Sequence, residues 1–193
     1  MSWAHLDNQM AHHKEALMSH VGLTDEQCLQ LATSVSADIR FLSSEAKRDI
    51  VGATPVPLKE RLAELKAFQG WMDEARKIRS PFVTRPQVIT QNYFCFVYLS
   101  EACFSAVRKH AVSGSVAKKC CSYLTDNPVR AFRNAIAHSN WQYRSDFNGI
   151  VYWAKKGAEV DEPLHRFEVD SQKLDFWQSL SRCVAYSIYE NLA

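Results

Sequence analysis

The chain has no apolar run approaching the length of a membrane span, and its first residues lack the basic-then-apolar pattern of a secretory signal. These absences predict a cytoplasmic protein with no membrane partner. It also has little excess charge: 23 basic residues against 21 acidic ones leave a net charge of +2. A strong, sequence-blind nucleic-acid binder is usually far more basic. Any nucleic acid must therefore be held at a local patch. None of the six cysteines, Cys28, Cys95, Cys103, Cys120, Cys121 and Cys183, belongs to a C-x-x-C pair. Most sit inside apolar helical patterns, where Cys packs as a small hydrophobe, so reduced structural thiols are expected. There is no H-E-x-x-H run and no Cys/His ligand set. No metal and no other cofactor is expected on that pattern. Internal repeats and low-complexity segments are lacking too.

What the chain does have is helical periodicity over most of its 193 residues, enough for one well-buried core. Residues 2 to 20 read as a first helix carrying His5, His12, His13 and His20, which we read as a polar face rather than a ligand cluster. Thr24 and Gln27 form a capping box for a second helix to about Asp49, with Leu31, Val35, Ile39 and Leu42 on its buried stripe. Val51 to Pro57 is a connection, and a third helix runs from about Leu58 to Arg79, ending in the basic run Arg76-Lys77-Ile78-Arg79. Ser80 to Pro86 reads as a second connection. The stretch from Val88 to Val107 is the most hydrophobic and predicts a central helix buried almost all round, with Glu101 in its middle either paired with an Arg or facing solvent. After a turn at Ser113-Gly114-Ser115, a short helix spans Val116 to Leu124.

The next helix carries the chemistry. Asn127 is a suitable N-cap, Pro128 suits the first helical position, and the helix is expected to reach about Trp141. At about 100° per residue, Val129, Phe132 and Ile136 fall on one side and Arg130, Asn134, Ala137, His138 and Trp141 on the other. Arg133 lies at the edge of that polar stripe, about 140° from His138 by the same arithmetic. A guanidinium grips a phosphate through parallel hydrogen bonds, and an imidazole moves a proton near neutral pH. Together they suit RNA cleavage by the RNA's own 2′-hydroxyl. Beyond Tyr143, the turn Asp146-Phe147-Asn148-Gly149 and the strand formers Ile150 to Trp153 and Arg166 to Val169 predict a small β-hairpin at about 147–169. Ser171 then caps a last helix with Leu174, Trp177, Leu180, Val184, Ile188 and Leu192 at helical spacing.

The run Arg133-Asn134-Ala135-Ile136-Ala137-His138 resembles the R-x-x-x-x-H signature of the HEPN family, small helical domains that include many ribonucleases. Asn134, the polar residue directly after the Arg, also matches, as does the placement late in a helical chain. The resemblance implies a mainly α fold, a HEPN-like helical bundle in one domain over residues 1–193, with the hairpin between the motif helix and the last helix. It further implies a metal-independent endoribonuclease leaving a cyclic phosphate, often a toxin or an antiviral defence effector. Arg133 and His138 carry over as catalytic and Asn134 as an orienting group. Some HEPN toxins carry a modified Tyr two residues after the His; this chain has Asn140 there. By face and proximity we add Arg130 and Arg144 as phosphate contacts and Trp141 as a stacking platform for a base. RNA, a second copy of the chain and an antitoxin or other regulatory protein are the expected partners. Two alternatives stand beside this: a non-catalytic HEPN module that binds nucleotide or RNA, and a helical protein that docks a partner.

Overall fold

The computed structural model describes residues 2–75, 77–78, 80–155 and 162–193. In chain order the helices are α1 (Trp3–Met10), α2 (Lys14–Ala16), α3 (Asp25–Leu29), α4 (Leu31–Arg40), α5 (Ser44–Gly52), α6 (Leu58–Ala75), α7 (Pro81–Tyr93), α8 (Leu99–His110), α9 (Val116–Thr125) and α10 (Val129–Ala137). Three antiparallel strands follow, β1 (Trp141–Tyr143), β2 (Gly149–Ala154) and β3 (His165–Asp170), and α11 (Ser171–Leu192) closes the chain. The protein is mainly helical with one small sheet, as its sequence predicts. No helix among the described residues is long and apolar enough to cross a membrane.

The first helical stretch is not a regular α-helix. A 3-10 turn at Ala11–His13 and a π-turn at Leu17–Val21 interrupt it, and Gly22 ends it in the left-handed conformation at φ 76°. The Thr24–Gln27 capping box forms, with both reciprocal hydrogen bonds in place. The single second helix expected to Asp49 is instead three helices. The chain leaves helical geometry at Gln30 (φ −126°, ψ 37°) and restarts again behind Ser43, whose hydroxyl accepts from the Ala46 N–H. α6 ends at Ala75, and Arg76 and Arg79 of the basic run lie outside the described residues.

Ser80 to Pro86 is not a connection. Pro81 occupies the first turn of α7, where a missing N–H costs nothing, and Pro86 sits inside the helix. The expected central helix is likewise divided, by a π-turn at Phe94–Tyr98. It is not buried all round: Phe94 and Tyr98 are exposed and stack on each other, 5.2 Å apart and 6° from parallel. The helix that is buried nearly all round is α11. From Phe176 to Tyr189 every residue is buried, and α11 packs against α4, α6, α7 and α9. Asp170 rather than Ser171 caps it, accepting from the Lys173 N–H at 2.7 Å, while the Ser171 hydroxyl donates to Asn148 Oδ1.

α10 rests on this core through its apolar side. Val129 and Phe132 are fully buried and Ile136 nearly so. The Phe132 ring meets Tyr93 edge-on at 4.4 Å and also contacts Trp177 and Tyr152. The Tyr93 hydroxyl donates to the Val129 carbonyl at 3.1 Å. The helix is shorter than its sequence predicts. Pro128 takes the cap position in place of Asn127, and Ala137 is the last helical residue. Ser139 adopts a left-handed φ of 58°; its N–H bonds the Ile136 carbonyl and the Asn140 N–H bonds that of Ala135. That is a Schellman ending built on serine instead of glycine. The chain then turns straight into β1, so Trp141 belongs to a strand and not to the helix.

The hairpin is present as β2 and β3, with Ile150 opposite Val169 and Tyr152 opposite Phe167, and β1 adds a third strand to it. Part of the expected Lys155-Lys156-Gly157 turn lies outside the described residues. Gly149 is required where β2 begins. Its φ is 150°, and a Cβ there would stand 2.2 Å from the Val169 carbonyl oxygen on the neighbouring strand. Gly149→Ala should therefore destabilise the protein by about 1–3 kcal/mol. Urea unfolding reads this directly, and an unchanged midpoint would show that the strands part there without cost.

Candidate functional site

Arg130, Asn134 and His138 are spaced four residues apart and so align along one side of α10 within about 80°. All three side chains are exposed. They form one wall of a cleft of about 520 Å³, floored by Ala131 and Ala135. The small alanines let the floor lie close to the helix backbone. Asn140, Trp153, Ala154, Lys155 and Leu164 supply the facing wall. Two local features fix that wall. The Schellman ending throws the chain back across the helix, and the Trp153 N–H then bonds the Asn140 carbonyl at 2.8 Å. The end of β2 is thereby held opposite His138, which stands at the C-cap position.

Arg133 occupies a different place. It does not line the cleft. Its guanidinium forms an ion pair with Glu101 on α8, through Nη1 and Oε1, and only 11% of its side chain is exposed. Its Nε and Nη2 both donate to Asn134 Oδ1, at 3.3 and 2.7 Å. Burial works to lower its pKa, against the neighbouring Tyr93 and Tyr98. A guanidinium nevertheless keeps its charge. Asn134 is thus the link between the motif Arg and the cleft that holds the motif His. Of the two placements the sequence leaves open for Glu101, the pair with Arg is the one adopted.

The other predicted contacts divide as well. Arg130 lines the cleft. Trp141 meets Tyr143 edge-on at 5.2 Å and lines a second, apolar hollow of about 430 Å³ with Phe68, Trp71, Phe94 and Ile136. Arg144 is held at the hairpin by Asp146 at 3.0 Å and Glu168 at 3.9 Å. The tryptophan of the cleft is Trp153, which sequence reasoning treats only as a strand former. The signal for it lies in pairing: a strand returning antiparallel to β1 must pass the end of α10. Lys155 is missed for the same reason.

Among the described residues no cysteine lines the cleft. Cys28, Cys103, Cys120, Cys121 and Cys183 are free and buried, and burial pushes the Cys103 thiol up to about 12. Metal-competent side chains do gather at one place among the described residues, where His12, His13 and Asp175 meet. That cluster shares no residue with the lining of the cleft. Comparison of the chain with protein-family models, with curated proteins and with solved structures finds no match, so the function must be read from these residues themselves.

Proposed function

We propose that the protein is a metal-independent endoribonuclease of the HEPN type, acting on RNA in the cytoplasm at the α10 cleft. The observation that carries this reading is the single cleft wall formed by Arg130, Asn134 and His138, faced by Trp153 and Lys155. His138 removes the proton of an RNA 2′-hydroxyl as the oxygen attacks phosphorus. The phosphorus–5′-oxygen bond breaks, leaving a 2′,3′-cyclic phosphate and a 5′-hydroxyl. Arg130 binds the phosphoryl oxygens as charge builds on them. Arg133 serves through Asn134, whose amide oxygen it holds, so that the amide presents its N–H groups to the cleft. Trp153 offers an apolar ring beside the phosphate site for a base.

The same reading carries a homodimer. Protonation of the departing 5′-oxygen calls for an acid opposite the base, and a twofold partner supplies a second His138. In support, the small residues Ala131 and Ala135 at the cleft permit close approach of a second copy there. A role as toxin or antiviral effector under the control of a partner protein follows from the family resemblance alone.

A second reading is favoured by one observation, the engagement of Arg133 with Glu101 and Asn134 outside the cleft. It makes the protein a binding module for RNA or nucleotide without cleavage. One experiment separates the two. Purified protein is incubated with end-labelled single-stranded RNA, with and without EDTA. Cyclic-phosphate products that persist under chelation support the nuclease, whereas saturable binding with intact RNA supports the module. Neither binding nor cleavage removes both.

A further inference from the structure

His12 and His13 are neighbours in sequence, and on a regular helix their side chains would diverge by about 100°. The 3-10 turn prevents this. His13 leaves helical geometry at φ −98°, ψ 12°, and the two imidazole rings come within 3.8 Å of each other. Asp175, in the second turn of α11, reaches the same point from the other end of the chain. Its Oδ2 lies 3.5 Å from His13 Nε2 and 3.8 Å from His12 Nε2. All three donor atoms lie within 4.8 Å of one another.

His13 is the telling member. Only 7% of it is exposed, and its Nε2 is buried without a hydrogen-bond partner. At 3.5 Å the Asp175 oxygen is too distant for a good hydrogen bond. A buried imidazole nitrogen left in this state costs free energy that a bound cation would offset. We propose that His12 Nε2, His13 Nε2 and Asp175 Oδ2 form a binding site for a divalent transition-metal ion of the zinc type.

Both separations from the carboxylate oxygen are close to what such an ion requires. Zinc–nitrogen and zinc–oxygen bonds of about 2.0–2.2 Å place tetrahedral donors about 3.3–3.5 Å apart. The His13–Asp175 separation is already of that size, and the His12–Asp175 separation exceeds it by a few tenths of an ångström. Two imidazoles and one carboxylate make a borderline ligand set, which favours zinc-like ions over calcium or magnesium. Three protein ligands leave one position open. His12 and His13 also line a hollow of about 380 Å³ together with His20.

An ion bound here would tie the N-terminal helical segment to α11. The test uses the full chain, stripped with chelator and dialysed. Cobalt(II) is titrated in and its visible absorption followed, and zinc is then added in competition. We expect one equivalent bound, the intense visible bands of low-coordinate cobalt, displacement by zinc, and a thermal midpoint that rises with metal. No thiolate charge-transfer band should appear, because the three ligands are two imidazoles and a carboxylate. His12 is exposed, so His12→Ala should fold normally, yet its affinity should fall by at least about 100-fold, beyond the effect of an outer-shell change. Asp175→Asn should behave alike, and His5→Ala should bind as wild type. Absence of saturable binding to the wild-type chain overturns the proposal. So does full affinity in His12→Ala, or a thiolate band.

Discussion

His138→Ala should lower RNA cleavage by about 10²–10⁴-fold, the range that a positioned general base or acid supplies. The fold should be unaffected. His138 is exposed at the end of α10, and its own N–H bonds the Asn134 carbonyl whatever side chain it carries. The Schellman bonds are made by Ser139 and Asn140, also through backbone atoms. Among the described residues, the bonds that hold the helix end are made by backbone atoms and not by the imidazole. The measurement is single-turnover cleavage of a labelled RNA alongside near-ultraviolet circular dichroism and thermal unfolding. A variant that folds normally and cleaves at the wild-type rate would remove His138 from the mechanism.

Local rules made much of this molecule legible. The Thr24–Gln27 box, the stripe of α11 and the β2–β3 pair all follow from spacings of a few residues, and all are present. The failures share a cause of the opposite kind. Pro81 and Pro86 read as loop signals, but the first is placed where a helix tolerates proline and the second is carried inside a helix that packs against α6 and α11. Trp141 has helical spacing from Asn134 and His138. The left-handed turn at Ser139 intervenes, and serine announces that turn far less clearly than glycine would. α11 rather than the stretch from Val88 to Val107 became the centre because tertiary packing, not hydropathy, decides which helix is surrounded.

The candidate site divides in the same way. Arg130, Asn134 and His138 share a helix side and were legible as a stripe. Trp153 comes from β2 and Lys155 from the residue after it, and Asp175 reaches His12 and His13 across the whole chain. No periodicity within one segment reports such meetings. Arg133 is the instructive case. Its position at the edge of the stripe allowed either side, and Glu101 drew it away from the cleft.

That pairing gives the second large effect, which is asymmetric. Arg133 has 11% of its side chain exposed and Glu101 has 39%. Removing Glu101 leaves a guanidinium with little access to water and, among the described residues, Asn134 to accept from it. Removing Arg133 leaves a carboxylate that water reaches. Glu101→Ala should therefore cost about 1–3 kcal/mol of stability, below the full penalty of a wholly buried pair because Glu101 is partly hydrated. Arg133→Ala should cost less, and the double variant should be more stable than the sum of the two changes predicts. Chemical unfolding of all four proteins reads this. Activity should follow the opposite order. Glu101→Ala leaves both Arg133–Asn134 hydrogen bonds available, so cleavage should persist at temperatures where the variant is folded. Arg133→Ala frees the Asn134 amide to rotate, and turnover should fall by at least about tenfold while RNA affinity changes little, the mark of a lost transition-state contact. Arg133→Lys should not restore it, because a single ammonium cannot reach Glu101 and Asn134 with the paired geometry of a guanidinium. Full turnover in Arg133→Ala would confine this residue to a structural role and leave Arg130 as the guanidinium that works on the phosphate.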